Sequence, residues 1–329
     1  MRNKALYFPY IEVPDEVWTT KVLLYWDKLS SIVPMDYIDE PARFSGHMST
    51  LVREGLVEQV IPAYYLHRLN RFEENFIRYI ERRIPRMRNL CGSWERDRIH
   101  IEKLGNLPHW LETNGLAEQD RYPWYRVEHW VASAFMAYLA TSLGSIDEVD
   151  AAPITNNVGI SRLFGALYSN RDMEREILLD QLLPVPEEKP SISSLIKFKE
   201  KYGHLLPPFR ERIELLSGEL GAIRDTHQRL ARAKVVANEL KEGLREIESA
   251  MKVTWKYVTF GMFMPLLGAG GSFYATDPNQ QMLASGAAGL TFASTAYQTI
   301  NSYRAEKNTL NNNPLAYLVY ARHYIPRRV

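Results

Sequence analysis

The 329-residue chain has one cysteine, Cys91, so no disulfide can close within it and its stability must come from packing. It has no excess of charge of either sign. Forty Lys and Arg stand against 39 Asp and Glu, and no global field gathers nucleic acid as a partner. Metal-ligand spacings are missing too: the eight histidines form no HExxH pair, and Cys91 has no Cys or His cluster around it. No metal, cofactor or catalytic residue is expected on these grounds. No repeat or low-complexity tract is present. The opening MRNKALYFPYIEVPDE lacks the apolar core of a signal peptide, because Pro9, Glu12 and Pro14 interrupt it. A cytoplasmic location is expected, at most against the inner face of the cell membrane.

What the chain does have is an ordinary folded composition, 46% hydrophobic and 24% charged, at a length that suggests about two domains. The amino-terminal half alternates strand and helix signals. ALYFPYIEV (5–13) is aromatic and β-branched, EVWTTKVLLYWDKL repeats apolar residues at helical spacing behind a capping Asp15, and SSIVP (30–34) reads as a second strand. Strand, helix, strand at this length is a βαβ unit with parallel strands. FSGHMSTLVREG reads as a helix closed by Gly55, and LVEQVIPA (56–63), RIHIEKL (98–104) and VDAAPITN (149–156) read as strands. YRVEHWVASAFMAYLATSL (125–143) reads as an apolar helix. Residues 1–185 are therefore expected to be an α/β domain with a mostly parallel sheet.

ALYFPYI, a tryptophan, LLYWD and IVP follow one another within residues 5–34, and this order resembles the opening of an uncharacterised bacterial domain-of-unknown-function family. ISSLIKFKEKYGHLLPPFRERIELL (192–216) and NPLAYLVYARHY (313–324) are similar to later segments of that family. The resemblance implies a bacterial origin and one architecture over most of the chain. It implies no activity, substrate or site residue. Such families often sit in accessory or antiviral-defence gene neighbourhoods, which implies a setting of that kind.

LLPVPEEKPS (182–191) reads as a linker, with Ser191 or Ser193 capping the next helix. Residues 186–329 are expected to be all-helical. Ile213, Leu216, Leu220, Ile223, His227, Leu230, Ala233, Ala237, Leu240, Leu244, Ile247 and Met251 step by three and four without a break. This heptad seam predicts a long helix over about 209–252, bent near Gly218 and Gly221, that needs a partner helix. The partner is another segment of this chain or a second copy, so self-association through the 213–251 seam is one expectation.

Residues 255–304 carry two uncharged runs split by a TDPNQQ turn, the expected apolar helical hairpin. Lys252, Lys256, Arg304 and Lys307 flank it on one side, the distribution of a hairpin inserted from the cytoplasm. Its glycines, serines and few bulky apolar residues suit a buried soluble hairpin equally well. Both readings of 257–303 stand.

The remaining candidates favour bland readings. GAGGS (268–272) lacks the lysine and strand context of a phosphate loop, and His227 reads as a register-fixing seam residue. Glu128 with His129, and His100 with Glu102, read as surface pairs. RYIERRIPRMRN (78–89) reads as a solvated basic face paired with Glu73, Glu74 and Glu81. DRYPWYRVEHW (120–130) lines a groove or packs a domain junction. Three functions follow: a non-enzymatic interaction or assembly protein, a membrane-acting effector working through 257–303, or an enzyme with a ligand site in the α/β domain.

Overall fold

The computed structural model describes residues 2–85, 95–157, 171, 174–175, 178–179, 182–183, 185–186, 190–250, 258–259 and 313–324. The apolar hairpin 255–304, apart from Val258 and Thr259, lies outside the described residues, as do Cys91, GAGGS and Arg86 to Asn89. The chain forms an α/β amino-terminal unit and a helical carboxy-terminal unit. The first comprises Met1–Asp15 and Trp26–Leu167, the second Glu16–Tyr25 and Tyr168–Val329. This division differs from one at 185/186: it falls before the prolines of 182–191, and the first helix of the chain belongs to the second unit.

In chain order the elements of the amino-terminal half are β1 (Lys4–Tyr7), α1 (Val17–Tyr25), β2 (Lys28–Ile32), α2 (Gly46–Arg53), β3 (Val57–Val60) and α3 (Phe72–Glu81). There follow β4 (Arg96–His100), α4 (Ile101–Leu104), α5 (Pro108–Thr113), β5 (Ala117–Gln119), β6 (Trp124–Glu128), α6 (His129–Gly144) and β7 (Ala151–Ile154). Four strands pair in the order β3-β2-β1-β7, all parallel, with Lys4 opposite Lys28 and Ala151. Ala5, Leu6 and Tyr7 are all buried, as expected of a central parallel strand covered on both faces. The chain walks outward from β1 to β3 and returns on the other side of β1 at β7. That reversal is the place where open parallel sheets bind ligands, beyond the carboxyl ends of the strands.

Local chemistry explains the boundaries. β1 ends at Tyr7 rather than running to Val13, because Pro9 has no N–H to continue a ladder. Ser45 caps α2 by accepting from the Met48 N–H, and Gly55 closes the turn after it at a φ of 68°. RIHIEKL is a strand only to His100. The imidazole Nδ1 accepts from the Glu102 N–H at 3.3 Å and caps α4, turning Ile101–Leu104 into a helix. Likewise Trp124–Glu128 is a strand and the helix starts at His129, since β6 pairs antiparallel with both β4 and β5. These three strands form a second, antiparallel sheet beside the parallel one.

α6 is buried almost all round: twelve of its sixteen residues are buried, so it is a core helix rather than an amphipathic one. Phe72 and Phe76 of α3 pack edge-on against its Phe135, and Phe72 stacks on Tyr138 at 4.9 Å. Its last residue, Gly144, lies so close to β7 that an added Cβ would sit 2.3 Å from the Ala151 carbonyl oxygen.

The second unit contains α1 together with α7 (Ile192–Tyr202), α8 (Leu206–Gly221), α9 (Thr226–Ala250) and α10 (Ala316–Tyr324). Ser191 caps α7 by accepting from the Ser194 N–H, and Pro207 and Pro208 sit in the first turn of α8, where their missing donors cost nothing. The expected single helix over 209–252 is two helices: α8 ends at Gly221, and Asp225 caps α9 by accepting from the Gln228 N–H. Ile213, Leu216, Leu220, Ala233, Ala237, Leu240 and Leu244 of the seam are buried within the chain itself. α10 packs on both α8 and α9. His227 is exposed at the start of α9, outside the seam interior.

A buried charge cluster joins this unit. The Glu214 carboxylate accepts from Arg175 Nη2 at 3.1 Å, pairs with Arg171 Nη2 at 2.8 Å and accepts from the Tyr25 hydroxyl at 3.2 Å. Burial pushes the carboxyl pKa up, but Arg175 outweighs it and holds the group below its ordinary value. Arg210 Nη2 donates to the Tyr25 carbonyl at 2.8 Å, and the Tyr317 hydroxyl donates to the Leu24 carbonyl. Among the described residues no helix is long and apolar enough to cross a membrane.

Candidate functional site

The first unit holds a cavity of about 300 Å³, at the lower end of the range of small-ligand sites. Three pieces of chain build it. The segment leaving the carboxyl end of β1, Pro9 to Glu12, forms one rim. Asp97 to His100 of β4, with Lys103 of α4 and Trp124 of β6, forms a wall. His129, Ala132, Ser133 and Met136 on the first two turns of α6 form another. The rim is tied down: the Ser31 hydroxyl donates to the Ile11 carbonyl, and Glu12 accepts from the Ser45 N–H at 2.9 Å.

The cavity grades from a polar mouth to a mostly apolar interior. Tyr10 is exposed, and His129 and Asp97 are each about half exposed, with Nδ1 2.8 Å from the carboxylate. Arg98 is bound at 2.9 Å to Asp120 and lies 5.2 Å over the Trp124 ring. Farther in, Ile99, Ala132 and Met136 are buried, and two polar side chains are buried among them: His100 at 5% and Lys103 at 3% exposure.

Of the cavity's buried polar groups, His100 leaves a ring nitrogen without a hydrogen bond and Lys103 carries a buried amine. Because His100 Nδ1 accepts from the backbone, the ring proton of the neutral imidazole sits on Nε2. That Nε2 is buried without a hydrogen bond; the nearest carboxylate oxygen, Asp36 Oδ1, is 3.9 Å away and itself unpaired. Burial lowers the His100 pKa, with Asp36 and Glu102 opposing it, so the ring stays neutral at neutral pH. Trp124 meets it edge-on at 5.1 Å. Among the described residues no hydrogen bond or ion pair holds the Lys103 ammonium. Burial pulls its pKa from 10.5 down to about 7, with Glu102 the opposing attraction. Buried donors without acceptors are rare, because each costs roughly 1–3 kcal/mol.

The sequence patterns land unevenly on this site. His100 and Glu102 are joined through the helix cap rather than as an acid–base pair. His129 pairs with Asp97 and not with Glu128, whose carboxylate accepts from Trp130 Nε1 at 2.7 Å. The DRYPWYRVEHW stretch divides between the cavity (Trp124, His129), the core (Tyr125, Trp130) and an exposed Tyr122. Lys103 and Asp97 carried no signal in the sequence. The basic run from Arg78 turns inward on itself: Arg78 donates to Asn75, and Arg83 lies 3.6 Å over the Tyr79 ring. Among the described residues no cluster of His, Cys, Asp and Glu is suited to a metal ion. The loop after β1, FPYIEVPDE, has no glycine and presents Glu12, so it does not form the backbone cradle of a dinucleotide site.

No family model matches the chain, and neither a curated protein nor a solved structure is significantly similar to it.

Proposed function

We propose that the protein is a small-molecule-binding protein whose α/β unit takes a compact ligand with an apolar body and a hydrogen-bond-accepting end. One observation carries this reading: Lys103, at 3% exposure, lines an open cavity with no hydrogen bond or ion pair to it among the described residues, and His100 lies in the same lining. A carboxylate or carbonyl oxygen reaching Lys103 supplies its partner, while Ile99, Ala132, Met136 and Trp124 cover the rest of the molecule. The first turns of α6 support the same polarity, since the positive end of a helix dipole lies at the cavity wall and no side chain caps it. The position of the cavity, beside the carboxyl end of the central strand, is where parallel sheets hold ligands. An assembly role through the 213–251 seam has less to work with, because most of that stripe is already covered within the chain. The membrane-effector reading rests on 257–303, outside the described residues.

The test is thermal unfolding of the purified full chain with small aromatic and aliphatic carboxylates and carbonyl compounds, beside an Ala132→Trp variant that fills the cavity. The reading predicts that at least one compound raises Tm in the parent and not in the variant. Equal shifts in both proteins, or none in either, contradict it.

A further inference from the structure

We propose that Lys103 captures a small aldehyde or ketone in this cavity as an imine; the inference rests on the reading of the cavity as a ligand site. Three features of the geometry support it. The Lys103 side chain is almost wholly buried, yet it lines an open cavity rather than the sealed core. No carboxylate holds its nitrogen among the described residues, so the lone pair is not committed to an ion pair. His100 lies in the same lining, its sealed Nε2–H on the side of Asp36, and the His129–Asp97 pair stands at the mouth. Desolvation of this kind is one of the ways proteins activate a lysine as a nucleophile. It agrees with the lowered pKa of the group, which leaves a large share of the amine neutral at neutral pH.

The chemistry balances without any co-reactant. The Lys103 amine nitrogen attacks the carbonyl carbon, a C–N bond forms, and the carbonyl oxygen takes a proton to give a carbinolamine. The nitrogen lone pair then forms C=N as the hydroxyl leaves, protonated, as water. Both amine hydrogens end on that water, and nothing is oxidised or reduced. Protons reach the oxygen from solvent at the cavity mouth, beside the His129–Asp97 pair. The charged and titratable groups around the amine are Glu102 and His100 from its own segment, Asp97 and Arg98 of β4, His129 of α6 and Glu12 of the rim.

The experiment incubates the full chain at neutral pH with benzaldehyde or butanal, adds borohydride, and maps the reduced adducts by peptide mass. The adduct is expected at Lys103, forming about tenfold or more faster than at exposed lysines such as Lys197, because an ordinary lysine amine is protonated at that pH. Lys103→Met and Lys103→Arg, each checked for folding by circular dichroism, lose it. Label spread evenly over exposed lysines overturns the imine. If either aldehyde raises Tm in the parent but not in Ala132→Trp, while Lys103 stays unlabelled, the ligand reading stands and the imine falls. With neither a Tm shift nor an adduct, both fall.

Discussion

Two buried sites, one in each unit, treat their ionisable groups in opposite ways. In the helical unit, buried Glu214 meets Arg175, Arg171 and the Tyr25 hydroxyl, and its carboxyl is held below the ordinary value. Glu174 nearby is only partly offset by Arg229, and burial raises its pKa to about 7. In the α/β unit, buried Lys103 lines a cavity and no hydrogen bond or ion pair among the described residues holds it. Charges closed by their own partners hold an architecture together, because removing either partner strands the other. Polar groups buried and left open lower stability, and a fold keeps them where something else is to bind.

Several substitutions break or sharpen this contrast. The largest effect is expected for Glu214→Ala, which removes the buried carboxylate that Arg175, Arg171 and the Tyr25 hydroxyl share; urea unfolding should show a loss of roughly 3–5 kcal/mol. Lys103→Met should do the reverse and stabilise the protein at neutral pH. The folded amine gives up its proton near pH 7, while the unfolded chain keeps it up to about 10.5. The parent is therefore penalised as pH falls from 10.5 to 7, by about 1.4 kcal/mol per unit, and the penalty levels off below that window. The gain from Lys103→Met should shrink steadily between neutral and alkaline pH in denaturant titrations. Gly144→Ala is expected to cost about 1–3 kcal/mol, because the new Cβ must push α6 off the Ala151 carbonyl. The smallest effect is expected for Tyr7→Phe. It removes the 3.0 Å bond to Asn156 that links the ends of β1 and β7, worth about 0.5–1.5 kcal/mol in Tm-based stability measurements.

The sequence carries much of this architecture because the signals are local. Ser45 and Gly55 bracket α2, Ser191 opens α7, and Gly221 ends the first half of the seam helix near the expected bend. The parallel pairing of β1 and β2 follows from a crossover of fixed length and hand. The site is not legible for the opposite reason. Asp97 reaches His129 only because β4 and β6 pair antiparallel with Arg96 opposite Glu128, a register set by contacts distant in sequence. Lys103 falls in RIHIEKL, which reads as an alternating strand. It is buried because His100 turns the chain into a helix one residue after β4 ends. Without strand register, it reads as surface.

The most direct measurement is competitive reductive methylation of the intact full chain at neutral pH, using formaldehyde and a mild hydride donor and resolved by peptide. If the cavity is open and Lys103 stands in it as a neutral amine, Lys103 is modified ahead of the exposed lysines. If Lys103 is modified last, it is sealed core, and the contrast between an open and a closed site is wrong.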